Sequence, residues 1–157
     1  MNALKPFDDA LAALIASLTP KARKALAVTI AKRLRGSQQQ RIKCQQAPDG
    51  TPYATRKSQP LRKPKGRIKR EMFAKLRTAR YMKTNSSPDE AVVEFAGRVE
   101  RMARVHHLGL RDRPSVHSKD VRYDERPLLG FGQQDIAIVE TEVILFLNKN
   151  QKPIDDR

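Results

Sequence analysis

Tryptophan is absent from this 157-residue chain, cysteine occurs once, and only 17 acidic residues stand against 32 lysines and arginines. The lone Cys44 excludes an intrachain disulfide and suits a reducing compartment. With eight aromatics and an apolar fraction of 39%, the core is modest, so some elements are expected to bury their apolar faces only in an assembly. No apolar run approaches the roughly 20 residues that a spanning helix needs. Glycine is sparse, and the one close pair, Gly130-x-Gly132, is too short for a phosphate loop and lacks the following lysine. Histidine is confined to His106, His107 and His117. Neighbours on a helix point about 100° apart, a poor geometry for one metal ion. The carboxylate pairs Asp89-Glu90, Asp124-Glu125 and Glu140/Glu142 have the pattern of solvated faces, and no spacing suggests a magnesium-dependent nuclease. The residues therefore nominate no catalytic centre, no cofactor site and no metal site.

What is present is charge, concentrated in one place. Residues 54–83 carry twelve basic side chains and a single acid, Glu71. That is a net +11, out of +15 for the whole chain. The densest part holds Arg56, Lys57, Arg62, Lys63, Lys65, Arg67, Lys69 and Arg70, interrupted by Pro60, Pro64 and Gly66. Three readings fit: a solvated mobile loop, sequence-independent contact with nucleic-acid phosphates, or docking to an acidic protein surface. The aromatic interleaving of a single-strand binder is missing, since only Tyr53, Phe73 and Tyr81 lie near. Composition alone does not separate the second reading from the third.

The pattern of elements is α+β: N-terminal helices, a small antiparallel sheet and a C-terminal helix, with an extended basic loop. Pro6 opens a helix to about Leu18, amphipathic rather than a signal peptide, with Asp8 and Asp9 in its first turn. Thr19-Pro20 is a strong start signal for a second helix to about Gln45, with Ala22, Leu26, Ile30 and Leu34 on one stripe. The polar run Ser37–Arg41 suggests that its far end leaves the core. Residues 47–52 are turn chemistry, and Lys69–Arg80 is expected to be helical, with Met72, Phe73, Leu76 and Ala79 on one face. Tyr81–Asn85 and Ala91–Phe95 read as a hairpin around Ser86–Asp89, and Val99–Leu108 as a helix ended by Gly109. A short strand is expected within Val116–Tyr123. A last helix spans Gln133–Leu147, with Ile136, Val139, Val143, Ile144 and Leu147 facing inward. One domain thus covers residues 1–148: helix 19–46, basic loop 47–69, and sheet with helices 70–148. A flexible tail follows at 149–157.

The order of landmarks is more specific than any one of them. Gln45–Tyr53 precedes the basic stretch. Then come Met72-Phe73-x-Lys75-Leu76-Arg77, Val93-Glu94-Phe95-Ala96-Gly97, Ala103–Arg111 and Glu125-Arg126-Pro127-Leu128-Leu129-Gly130. Over about residues 4–148 this succession resembles the tail-completion protein S family of contractile-tailed phages, part of a wider group of phage virion morphogenesis proteins. That group has an A-x-x-H-x-x-G element followed by R-P-x-L-G. Here they fall on Ala103, His106 or His107, Gly109, and Arg126-Pro127 to Gly130. The doubled histidine departs from the pattern, and spacing favours His106.

The resemblance implies a structural virion protein without catalysis or cofactors. It implies a late role at the head-proximal end of the tail, as a ring subunit, with sixfold symmetry to match the tail tube, or twelvefold like other rings of the neck. Its implied partners are copies of itself and other neck and tail proteins, with virion DNA as a further contact and no membrane. The implied location is the virion, reached through the host cytoplasm. His106, Gly109, Arg126 and Pro127 are then expected to position the fold, with Arg126 pairing an acid across a subunit boundary. The competing reading is a stand-alone, sequence-independent DNA-binding module.

Overall fold

The structure, a computed structural model, describes residues 5–58 and 71–150. In chain order its elements are α1 (Lys5–Ala16), α2 (Pro20–Lys43), β1 (Met82–Ser86), β2 (Ala91–Phe95), α3 (Gly97–Leu108), β3 (Arg111–Asp112), β4 (Val121–Arg122) and α4 (Gln133–Asn150). The class is α+β, with two separate two-stranded antiparallel sheets.

Helix α2 organises the molecule. Thr19 caps it in an extended conformation, its Oγ1 accepting from Ala22 N at 3.2 Å, and Pro20 is the first helical residue. Twenty-four residues give a rod of about 36 Å. Such a length serves two cores. The N-terminal half places Leu26 against Val143 and Leu147 of α4, with Leu11 and Ile15 of α1 packed alongside. The far end places Ile42 against Ala47, Tyr53, Leu76, Met82, Ala103 and Leu128.

The expectation that this far end leaves the core is therefore corrected. Gln38 is 4% exposed and Ile42 fully buried. The polar run enters the interior because it finds polar partners there: Arg41 and Ser37 both bond Asp135, and Gln38 Oε1 accepts from Gly130 N. A buried polar face is invisible to an apolar stripe count.

The expected helix from Lys69 to Arg80 is also corrected over its described part, 71–80, which is a series of turns. Phe73 has φ 64° in the left-handed region, which a right-handed helix excludes. The cause lies far away in sequence. Gln45 Oε1 accepts from Met72 N at 2.9 Å, and Gln45 Nε2 donates to Met72 O at 2.9 Å. Both backbone groups of Met72 are thereby used before a helix can use them. Gln45 itself ends α2 in the left-handed region, at φ 57°. Leu76 still reaches the core and Met72 and Phe73 pack against it, but Ala79 is exposed.

The hairpin pairs Met82 with Phe95 through Ser86 with Ala91, and Ser87 Oγ accepts from Asp89 N and Glu90 N in its turn. On α4 the inner ridge is the four-residue series Asp135, Val139, Val143 and Leu147. Ile136 and Ile144 are half exposed, contrary to the apolar-stripe reading, because a charged residue occupies the first position of that ridge. Helix α4 continues to Asn150, and residues 151–157 of the expected tail lie outside the described residues. No helix among the described residues is long and apolar enough to cross a membrane.

Candidate functional site

Gly109 is the hinge of the site. It ends α3 in the left-handed region at φ 65°, and a Cβ there would sit 2.9 Å from Glu125 N. A side chain is excluded both by conformation and by space. The chain can then fold back so that β3 and β4 pair, Arg111 opposite Arg122 and Asp112 opposite Val121. The following segment runs down the side of α3. Tyr123 N donates to Leu110 O at 3.1 Å, Arg126 N to His106 O at 2.9 Å, and Leu128 N to His107 Nδ1 at 3.0 Å. The two histidines thus differ in kind. His107 secures the backbone of the R-P-L-L-G segment through its ring. His106 bonds that segment through its carbonyl and turns its ring into a row of aromatic edges.

That row runs Tyr53, Phe73, His106, Tyr123. Ring centroids are 5.9, 5.1 and 4.7 Å apart, all in edge-on geometry. Burial, helped by the nearby positive charge of Arg126, lowers the pKa of His106 and favours the neutral ring. Its buried Nδ1 has no hydrogen-bond partner among the described residues. Tyr53 donates its hydroxyl to Pro127 O at 2.8 Å. Burial pushes the Tyr53 phenol up to about 12, against the opposing charge of Arg41.

Arg126 is 5% exposed and holds the start of the basic segment in place. Its Nε donates to Ala54 O at 2.9 Å and its Nη2 to Thr55 O at 3.1 Å. Asp124 supplies the counter-charge at 3.3 Å. Within its own chain, then, Arg126 is bonded to two backbone carbonyls and one carboxylate. A buried guanidinium has five donors to satisfy, and carbonyls at the mouth of a loop satisfy several at once.

Arg56 and Lys57, immediately after the clamped carbonyls, line a pocket of about 360 Å³. Met72, Phe73, Val121 and Tyr123 contribute its apolar lining, and Arg122 belongs to the same lining. Of the eight basic residues singled out from the sequence, these two are placed at the pocket. Arg62, Lys63, Lys65, Arg67, Lys69 and Arg70 lie outside the described residues. His106, Gly109, Arg126 and Pro127 come together as one packed unit. Sequence reading missed Tyr53, Phe73, Val121, Arg122 and Tyr123. The only local signal for any of them was an aromatic placed directly after a proline turn, at Tyr53. Among the described residues no three His, Cys, Asp or Glu side chains gather as a metal site would require.

The sequence profile of the phage virion morphogenesis family matches residues 2–147. The chain belongs to that family. It is similar to the Tail completion protein S of Escherichia phage P2, with 45% identity over 150 residues, 95% of this chain and 100% of that protein. No solved structure matches it.

In this member of the phage virion morphogenesis family, the two sequence elements that carried the resemblance form a clamp. The A-x-x-H-H-x-G element supplies the helix end and its glycine turn. The R-P-L-L-G element supplies the arginine that holds the backbone at Ala54 and Thr55. Gly130, its last residue, lies against Pro48, where a Cβ would come within 2.7 Å of the ring. The residues of both elements touch protein, and their arrangement is that of a scaffold.

Proposed function

We infer that this chain is a structural virion protein that completes the head-proximal end of a phage tail and enables the tail to join the DNA-filled head. The observation that carries this reading is the 45% identity to a tail completion protein over 95% of the chain, with that protein covered to its full length. The chain acts as a subunit of a closed ring, sixfold to match a tail tube, and seats against neighbouring neck and tail proteins. A closed ring needs two different complementary faces on each subunit. Leu14 on α1 and Ile136, Ile144 and Leu145 on α4 are half exposed, and apolar side chains of this kind suit such contacts. The basic segment, whose origin is fixed by Arg126, supplies the docking charge, and virion DNA is its further contact. The working location is the virion, reached from the host cytoplasm.

The test is genetic and visual. A phage lacking this gene is complemented with the chain carrying Arg62, Lys63, Lys65 and Arg67 all changed to Gln. Full heads and finished tails that fail to join, seen by negative-stain microscopy, support the reading. Full infectious yield from that variant overturns docking by charge. A cryo-electron microscopy map of the neck that lacks this polypeptide overturns the location.

A further inference from the structure

The geometry points to a protein partner that inserts one large apolar side chain, flanked by aspartate or glutamate, into the pocket between residues 56–57 and the β3–β4 ladder. This inference rests on the docking reading and names what the docking surface takes.

The pocket is of the right kind. A volume of about 360 Å³ is at the small end of ligand pockets, enough for one bulky side chain and its neighbouring backbone. Its interior is aromatic and aliphatic, from Phe73, Met72, Val121 and Tyr123, and a partner anchor there excludes water from apolar wall on both sides. The charge around it has one dominant sign. Lys57 and Arg122 are exposed, and Asp124, the acid in the lining, is engaged by Arg126.

The β3–β4 ladder gives a second, independent sign that these cations serve something outside the chain. Arg122 stands directly opposite Arg111, and neither meets an acid among the described residues. Like charges at directly opposed positions destabilise a strand pair. In so short a ladder the local optimum would be an acid at one of the two positions. The arrangement becomes favourable when a partner brings carboxylates between the arginines.

Nucleic acid fits less well. A base needs an open ring face to stack on. Here the rings of Tyr53, Phe73, His106 and Tyr123 meet one another edge to face, so the row offers packed edges rather than a free platform.

The experiment measures fluorescence anisotropy with the full chain. The probes are the dye-labelled peptide Gly-Asp-Glu-Phe-Glu-Asp-Gly, its counterpart with Ala for Phe, and a dye-labelled oligothymidylate. The expected result is a preference of at least about tenfold for the Phe peptide over the Ala peptide. Val121→Trp, which fills the pocket, and Arg122→Glu, which reverses rim charge, each remove that preference. Arg122→Glu also melts no lower than the parent, because it gains a cross-strand partner in Arg111. Equal binding of the Ala peptide means charge alone and overturns the proposal. So does a preference that survives both substitutions. Displacement of the Phe peptide by oligothymidylate, with oligothymidylate binding lost in Val121→Trp, overturns it in favour of a nucleic-acid pocket. The docking reading fails separately, if the phage with the neutralised basic segment still joins heads to tails.

Discussion

Arg41 Nη1 lies 3.1 Å from Asp135 Oδ2, with side-chain exposures of 11% and 2%. The pair joins the far half of α2 to the first turn of α4. Ser37 Oγ donates to Asp135 Oδ1, and Gly132 N donates to Asp135 Oδ2 at 2.8 Å. Arg41 Nη2 donates to Leu128 O at 3.0 Å and to Gln38 Oε1. Burial draws the Arg41 pKa down while Asp135 opposes that shift, so the pair is held by its hydrogen bonds as much as by charge. The network fixes the turn after Arg126, and through it the clamp on the basic segment.

Removing one member should cost more than replacing both. Asp135→Ala leaves a buried guanidinium unpaired and is expected to lower stability by about 3–5 kcal/mol. The paired change Arg41→Met with Asp135→Leu is expected to cost clearly less. Urea midpoints at constant m-value check this. An Asp135→Ala midpoint within error of the parent would show that the pair contributes nothing.

Gly109→Ala is expected to destabilise by about 1–3 kcal/mol, from its left-handed backbone and the contact with Glu125. Gly97→Ala is the control, because its added Cβ meets nothing within 4 Å. Thermal melts of the two variants should separate, with Gly109→Ala the lower.

The His106 ring gives a pH dependence of definite sign. Its folded pKa lies below the ordinary 6.5, so the unfolded chain takes up a proton first as pH falls. Above the unfolded value the ring is neutral in both states and contributes no slope. Stability declines as pH falls through about 6.5 and levels off once the folded ring is also protonated. His106→Leu should flatten that part of the profile. Melting temperatures from pH 8 to pH 5 that are parallel for parent and variant would contradict it.

Tyr53 acts at the alkaline end. Its phenol is pushed up to about 12 from an ordinary 10.0, so the folded state keeps a proton that the unfolded state loses. The stabilisation is fully present below pH 10 and disappears as pH rises toward 12, a loss of up to about 2–3 kcal/mol. Tyr53→Phe loses the bond to Pro127 O, about 1 kcal/mol at neutral pH, and should show a shallower alkaline decline. Guanidinium unfolding at pH 8 and pH 11 measures both effects.

Much of the framework was legible in the chain because the signals are local. Thr19-Pro20 starts α2 where it was expected, Gly109 ends α3, and Ala91–Phe95 is the strand that its Val and Phe content favours. Each depends on residues within a few positions, where capping, φ preference and side-chain shape act directly. Arg56 and Lys57 were visible as charge, but charge says nothing of the walls beside them. Phe73 comes from one segment of the pocket and Val121 and Tyr123 from another, and no local signal joins the two.

The sequence alone determined the helices, the hairpin and the concentration of positive charge, since those follow from neighbouring residues and composition. The tertiary structure decided the rest. Gln45 reaches 27 positions to turn a would-be helix at Met72 into turns, and Asp135 reaches 94 to bring the polar face of α2 inside. Both reversals have one physical reason: a buried polar group takes whichever partner the fold delivers, and that partner is distant in the chain.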